Sequence, residues 1–226
     1  MDKSELKTFL GMSGSAQDNN LDFALDAASS AIDDFCGRVF YKTGSTQDRV
    51  YDCEFSDFIY IDDIATTTGL VVKTLDSDGS DLKTLTLNTD FYLYPHNADK
   101  LDPVMPFDKI VMAIETSGTT LPTDYPRGLK ITATFGFPVQ SGSDTVPAAI
   151  KQATLMQAAR FFQRKNSPMG FSGNPETGQA PVVFLSQLDP DVKILCRKFK
   201  KTKTVLASGR PYVGLTEINY NRTYGI

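Results

Sequence analysis

Apolar residues at Leu21, Leu25, Ala28, Ile32 and Phe35 recur in alternating steps of four and three. That spacing puts them on one stripe of an α-helix over residues 18–36. Asp22, Asp26, Ser29 and Asp33 fall largely off the stripe. Asp18 is the expected N-cap, and Gly37 the left-handed residue that closes the helix. A shorter helix is expected over 4–10, capped by Ser4 and stopped by Gly11.

From Tyr41 the period changes. Val50-Tyr51-Asp52-Cys53-Glu54-Phe55 alternates as a half-buried strand does. Residues 58–61, 69–75, 82–87, 91–94, 109–115 and 128–135 are further strand candidates. Asp76-Ser77-Asp78-Gly79 supplies a hairpin turn between two of them. With no alternation of strands and helices, this block is expected to be antiparallel.

Helical spacing returns with Val146-Pro147-Ala148-Ala149-Ile150 and runs to Arg164. Pro147 suits the first helical position. Small and apolar residues occur on several sides of this helix, so more than one neighbour is expected to touch it. Residues 166–181 are rich in Gly, Pro and Ser and are read as a long mobile loop. A last helix is expected over 189–199, capped by Asp189 with Pro190 in its first turn. The pattern gives an α+β chain: a helical module from both sequence ends (1–40 and 146–206), an inserted β-rich module (41–145), and an extended polar and aromatic tail (207–226).

The 226 residues, 41% hydrophobic and 22% charged, have the composition of a globular protein with one or two domains. No apolar run of transmembrane length and no secretory leader pattern is present, so no membrane partner is expected. Cys36, Cys53 and Cys196 contain no C-x-x-C pair and are expected as reduced, buried thiols from a cytosolic folding environment. The net charge of −4 hides an asymmetry. Residues 1–145 hold 11 Lys/Arg against 23 Asp/Glu, whereas 146–226 hold 12 against 4. Such polarity suits a subunit with unlike faces for partners or for copies of itself.

Enzyme chemistry finds little support. The one histidine, His96, follows a strand and is expected at the surface. No nucleophile elbow, phosphate-binding loop or dinucleotide fingerprint occurs. Asp76, Asp78 and Asp81 bracket a Gly turn, but position 12 from Asp76 is Leu87, so a solvated hairpin is expected in place of a Ca²⁺ loop. The adjacent pairs Asp33-Asp34 and Asp62-Asp63 are expected to form acidic surface. No catalytic residue, metal ligand or cofactor is assigned. The most highly charged segment is Arg197-Lys198-Phe199-Lys200-Lys201-Thr202-Lys203. It admits three readings: a helix C-terminus complemented by cations, a contact with an acidic protein, or a contact with nucleic-acid phosphates.

Two motifs occur in order. Ala31-Ile32-Asp33-Asp34-Phe35-Cys36-Gly37-Arg38-Val39-Phe40 ends the first long helix, and Val146-Pro147-Ala148-Ala149-Ile150-Lys151-Gln152-Ala153 opens a later one that closes near Phe161-Phe162-Gln163-Arg164. This order resembles the head–tail connector (adaptor) proteins of long-tailed bacteriophages. The resemblance covers 4–40 and 128–165 by motif and the rest by pattern. It implies a helical bundle bearing β elements, and a dodecameric homo-oligomeric ring beneath the portal protein that extends the DNA channel. It further implies a platform for a head-completion (stopper) or tail protein, location in the virion neck after assembly in the host cytoplasm, non-specific proximity to packaged DNA, and no catalysis. This chain departs from short members in its larger β block and its tail. Arg197, Lys198, Lys200, Lys201, Lys203, Tyr212, Tyr220 and Tyr224 are the candidate partner-binding residues, with the segment from 197 onward expected to reach the portal. The alternative is a nucleic-acid-binding accessory protein using 197–203. A hydrolase with an unrecognised carboxylate site lacks a nucleophile–base set.

Overall fold

A computed structural model describes residues 2–140, 146–164, 171–172, 182–183 and 188–201. It contains helices and an antiparallel sheet, and the chain divides into two compact units. One is built from Met1–Arg38 together with the described residues from Ala148 on, the other from Val39–Pro147.

In the first unit, α1 (Lys3–Leu10), α2 (Asp18–Cys36) and α4 (Ala148–Arg164) share an apolar cluster. Leu6, Leu21, Leu25, Ala28, Leu155, Ala158 and Ala159 form it, with Leu10, Phe161 and Phe162 packed at its margin. Each buried leucine contributes roughly 1.5–3 kcal/mol, and the alanines let the helices approach closely. The α2 stripe is buried at Leu21, Leu25, Ala28 and Ile32 as the spacing predicts, but it ends on Cys36 while Phe35 stays half-buried. As expected from its composition, α4 packs against α1, α2 and α5 (Pro190–Cys196).

Gly11 and Gly37 both close their helices at φ +65°, where a Cβ would be strained. The expected N-caps differ. α1 begins at Lys3 with Asp2 before it, and the Ser4 hydroxyl donates to the Asp2 carboxylate at 2.6 Å. Gln17 precedes α2, and Asp18 sits in its first turn. There Asp18 pairs with Lys7 at 2.5 Å, an anion well placed beside the positive end of the helix dipole. Pro147 lies one residue before α4, not within it.

The second unit is a six-stranded sheet in the order β1-β6-β2-β5-β4, with β3 on β2. The strands are β1 (Gln47–Tyr51), β2 (Phe58–Leu75), β3 (Asp81–Leu85), β4 (Phe91–Tyr94), β5 (Phe107–Met112) and β6 (Leu129–Phe135), and all these pairings are antiparallel. Sequence alternation fits β4 and β6 closely. Elsewhere the boundaries move: 52–55 lie outside β1, and Ile114–Ser117 (α3) turn helical where a strand was expected to continue. The two candidates 58–61 and 69–75 are one 18-residue strand. Its first half pairs with β5 and, from Ile64, with β6; its second pairs with β6 and β3, and the register against β6 shifts between Thr66 and Val71. Gly69, at φ +75°, sits in that irregularity and allows the local bend. Ile59, Ile110 and Leu93 line up across β2, β5 and β4 on the buried face.

A separate two-stranded ladder joins β7 (Phe171–Ser172) to β8 (Val182–Val183), so part of the expected loop 166–181 is strand. The rest of that loop and the tail 207–226 lie outside the described residues.

Gly136 follows β6 at φ +109°, and a Cβ there would fall on the carbonyl oxygen of Tyr41. Gly136→Ala therefore combines a forbidden backbone region with a backbone clash. It is expected to destabilise the chain by roughly 3 kcal/mol, read as a lower urea midpoint. Gly79→Ala, at a positive-φ turn with open space around it, should cost less.

Candidate interaction surface

α5 starts where expected. The Asp189 carboxylate accepts the Asp191 N–H at 3.0 Å, and Pro190 occupies the first turn. The helix runs on into a 3₁₀ turn, Arg197–Phe199, which carries much of the predicted basic segment. This turn also has structural duties. Phe199 is 2% exposed, and Val192 and Cys196 are buried beside it. The Lys201 N–H donates to the Cys36 carbonyl at 2.7 Å, satisfying one of the acceptors that every helix C-terminus leaves open.

The predicted cations therefore divide. Arg197 and Lys198 are exposed. Lys200 places its ammonium 4.9 Å from the centre of the Phe35 ring, and Lys201 is 4% exposed. Lys203, Tyr212, Tyr220 and Tyr224 lie outside the described residues.

The outward surface of this unit holds residues the sequence reading passed over. Phe23 is 73% exposed and Ile194 71%, the two most exposed large apolar side chains among the described residues. Phe23 shares the exposed stripe of α2 with Asp26, Ala27, Ser30 and Asp34. Ile194 shares the exposed side of α5 and its 3₁₀ extension with Asp191, Arg197 and Lys198. The signal was available: Phe23 breaks the four-three spacing of the buried stripe, so its burial had to come from elsewhere or not at all.

No group of three or more His, Cys, Asp or Glu among the described residues is placed to hold a metal ion. In the hairpin, Asp76 accepts from the Ser77 N–H at 2.6 Å and Asp78 from the Ser80 N–H at 2.8 Å. Asp81 pairs with Lys73 at 2.6 Å and also with Lys130. These carboxylates are spent on the protein's own donors. Asp62 accepts from Arg49 at 2.7 Å and from the Tyr51 hydroxyl at 3.0 Å, while its neighbour Asp63 is buried. Burial and the nearby Asp62 charge push the Tyr51 phenol up.

His96 is exposed, 3.9 Å from Tyr94 between ring centres. On the same sheet surface the Lys109 ammonium lies 4.8 Å from the Tyr94 ring and 5.7 Å from both Phe58 and Tyr60, a cation–π arrangement built by the register of β2, β5 and β4. All three cysteines are free and buried. The Cys36 thiol is held up by its hydrogen bond with Cys196 and by burial, and Cys53 is pushed up to about 12 by burial. Cys196 is instead lowered by its hydrogen bond with Cys36, and it is burial that shields all three thiols from reagents.

Glu5, Asp81 and Asp90 are among the carboxyls held below their ordinary range. The side chain of Lys151 does this for Glu5, Lys130 and Lys73 for Asp81, and the Thr86 N–H followed by Lys83 for Asp90. Asp90 accepts from Thr86 at 2.8 Å and from Lys83 at 3.1 Å. A depressed folded pKa stabilises the protein above the unfolded value of about 4, and that stability is lost as pH falls through the folded value. Urea unfolding should therefore show a stability loss below about pH 4. Asp90→Asn should lower stability at pH 7 and narrow its difference from the wild type at pH 3.

No family model matches the chain, and no curated protein matches it either. Solved structures do. A chain from the neck of an empty GTA particle computed with C6 symmetry is 16% identical, over 90% of this chain and 91% of that one, with a TM-score of 0.53. A chain from the neck of a native GTA particle computed with C12 symmetry is 18% identical, over 89% and 88%, with a TM-score of 0.51. At these identities the likeness is one of fold, and it extends across both units of the chain.

Proposed function

We propose that the chain is a structural, non-catalytic subunit of a phage-type neck: an adaptor whose helices form a bundle and whose copies form a dodecameric ring below the portal. The ring would extend the DNA channel and offer its far side to a stopper or tail protein, with its place in the virion neck. The observation that carries this reading is the fold shared with neck chains over nine-tenths of the length, about 90% on both sides. Those neck structures were computed with C6 and C12 symmetry, as a ring requires. The two connector-like motifs agree with it independently: the first ends α2 at Cys36-Gly37 and the second opens α4.

The charge asymmetry fits the same role. An acidic majority keeps DNA from adhering to a channel wall, because phosphate binding is driven by cations that release counterions. The alternative, a nucleic-acid-binding accessory protein using 197–203, loses support from the packing. Lys200 covers Phe35 and Lys201 is buried, which leaves Arg197 and Lys198 as the exposed cations among the described residues of that segment.

The test is incubation with purified portal rings followed by electron microscopy. An added collar is expected. Bare portals at every concentration, with no ring of this chain in solution either, would remove the reading. The segment reaching the portal is proposed to follow Lys201, since Phe199 and Lys201 belong to the core. A chain ending at Lys201 should keep its circular dichroism and melting transition yet lose the collar. Duplex DNA binding by the full chain should be negligible at physiological salt; tight binding that collapses with added salt would favour the alternative.

A further inference from the structure

The exposed stripes of α2 and α5 point in different directions. Cys36 faces α5, with its Sγ 3.9 Å from the Cys196 carbonyl oxygen. At about 100° per helical residue, Phe23 is turned roughly 140° around α2 from Cys36. Ile194 is turned roughly 160° around α5 from Cys196 on the same count. Both helices pack on α4. Phe23 and Ile194 therefore look outward on separate flanks of the same unit and do not meet within one copy.

Their surroundings are complementary. Along the exposed stripe of α2, Asp26 lies one turn from Phe23 and Asp34 about three turns from it, with the small Ala27 and Ser30 between the two acids. Around Ile194 stand Arg197 and Lys198, with the single acid Asp191 one turn before it. Each flank is an apolar side chain with charges of one prevailing sign. A contact between two unlike surfaces of identical subunits repeats head-to-tail, and it closes into a ring when the rotation permits.

We propose that these flanks are the two halves of one subunit–subunit contact, Phe23, Asp26 and Asp34 of one copy meeting Ile194, Arg197 and Lys198 of the next. Ala27 and Ser30 leave room for the approaching helix. The apolar pair supplies burial, and the charges set register and exclude the self-pairing of like flanks. The inference rests on the ring reading above and names the surface that builds the ring.

Two variants test it. In Asp26→Lys/Asp34→Lys both flanks are basic, and in Arg197→Glu/Lys198→Glu both are acidic. Each alone should assemble on the order of tenfold more weakly than the wild type, about 1.4 kcal/mol per contact, by native mass spectrometry and microscopy with portal rings. Circular dichroism should be unchanged, since the substituted side chains are exposed. An equimolar mixture should restore rings, because alternating copies place opposite charges at every contact of an even-numbered ring. Phe23→Ser should weaken assembly without rescue by either variant. Normal assembly of both charge variants, or a mixture that stays dissociated, would overturn the interface while leaving the ring reading intact. Rings that form normally but no longer dock on portals would assign the flanks to the portal and equally overturn it. A wild-type chain that forms no ring under any condition removes both.

Discussion

The burial of one helical stripe governs this molecule. Leu21, Leu25 and Ala28 of α2 are covered by Leu155, Ala158 and Ala159 of α4, and in the sequence the whole sheet unit lies between the two helices. Neither helix can hide its apolar face alone. The chain must leave α2, complete a sheet with its own core, and return. Because the cost of closing a loop grows only with the logarithm of its length, the insertion is tolerable so long as it folds on its own. The sheet meets that condition with a continuous buried row across β2, β5 and β4.

How much of this was legible depends on whether a feature is local. Gly11, Gly37 and the Asp189-Pro190 cap announce themselves because their chemistry acts within a few residues. The alternation of β4 and β6 does the same. The continuity of β2 was hidden because Thr66, Thr67, Thr68 and Gly69 look like a loop. Only the changing partners on either side show that a bent strand passes through them. Asp18 looked like a cap because acids favour helix starts; its distant partner Lys7 gives it a different place in the first turn. The basic segment was visible as charge, but its division into packed and exposed cations needed the positions of Phe35 and the α2 C-terminus.

The surface of the helical unit bears on how copies could meet. The described residues hold no metal-binding cluster, their hairpin carboxylates are paired with protein donors, and their thiols are enclosed. Against that, two large apolar side chains stand in solvent on helices whose inner faces are well packed. Single exposed apolar side chains are ordinary on a protein surface; these two are set apart by the opposite charges that share their helix faces. In the proposed ring, such flanks meet copy against copy.

The enclosure of Cys36, Cys53 and Cys196 has a practical corollary. A sulfhydryl introduced by substitution at a surface position would be the accessible one, reacting with maleimide dyes or gold clusters while the native three stay silent. The unaltered background is thus already suited to placing one optical or electron-dense marker per copy and watching the particle being put together.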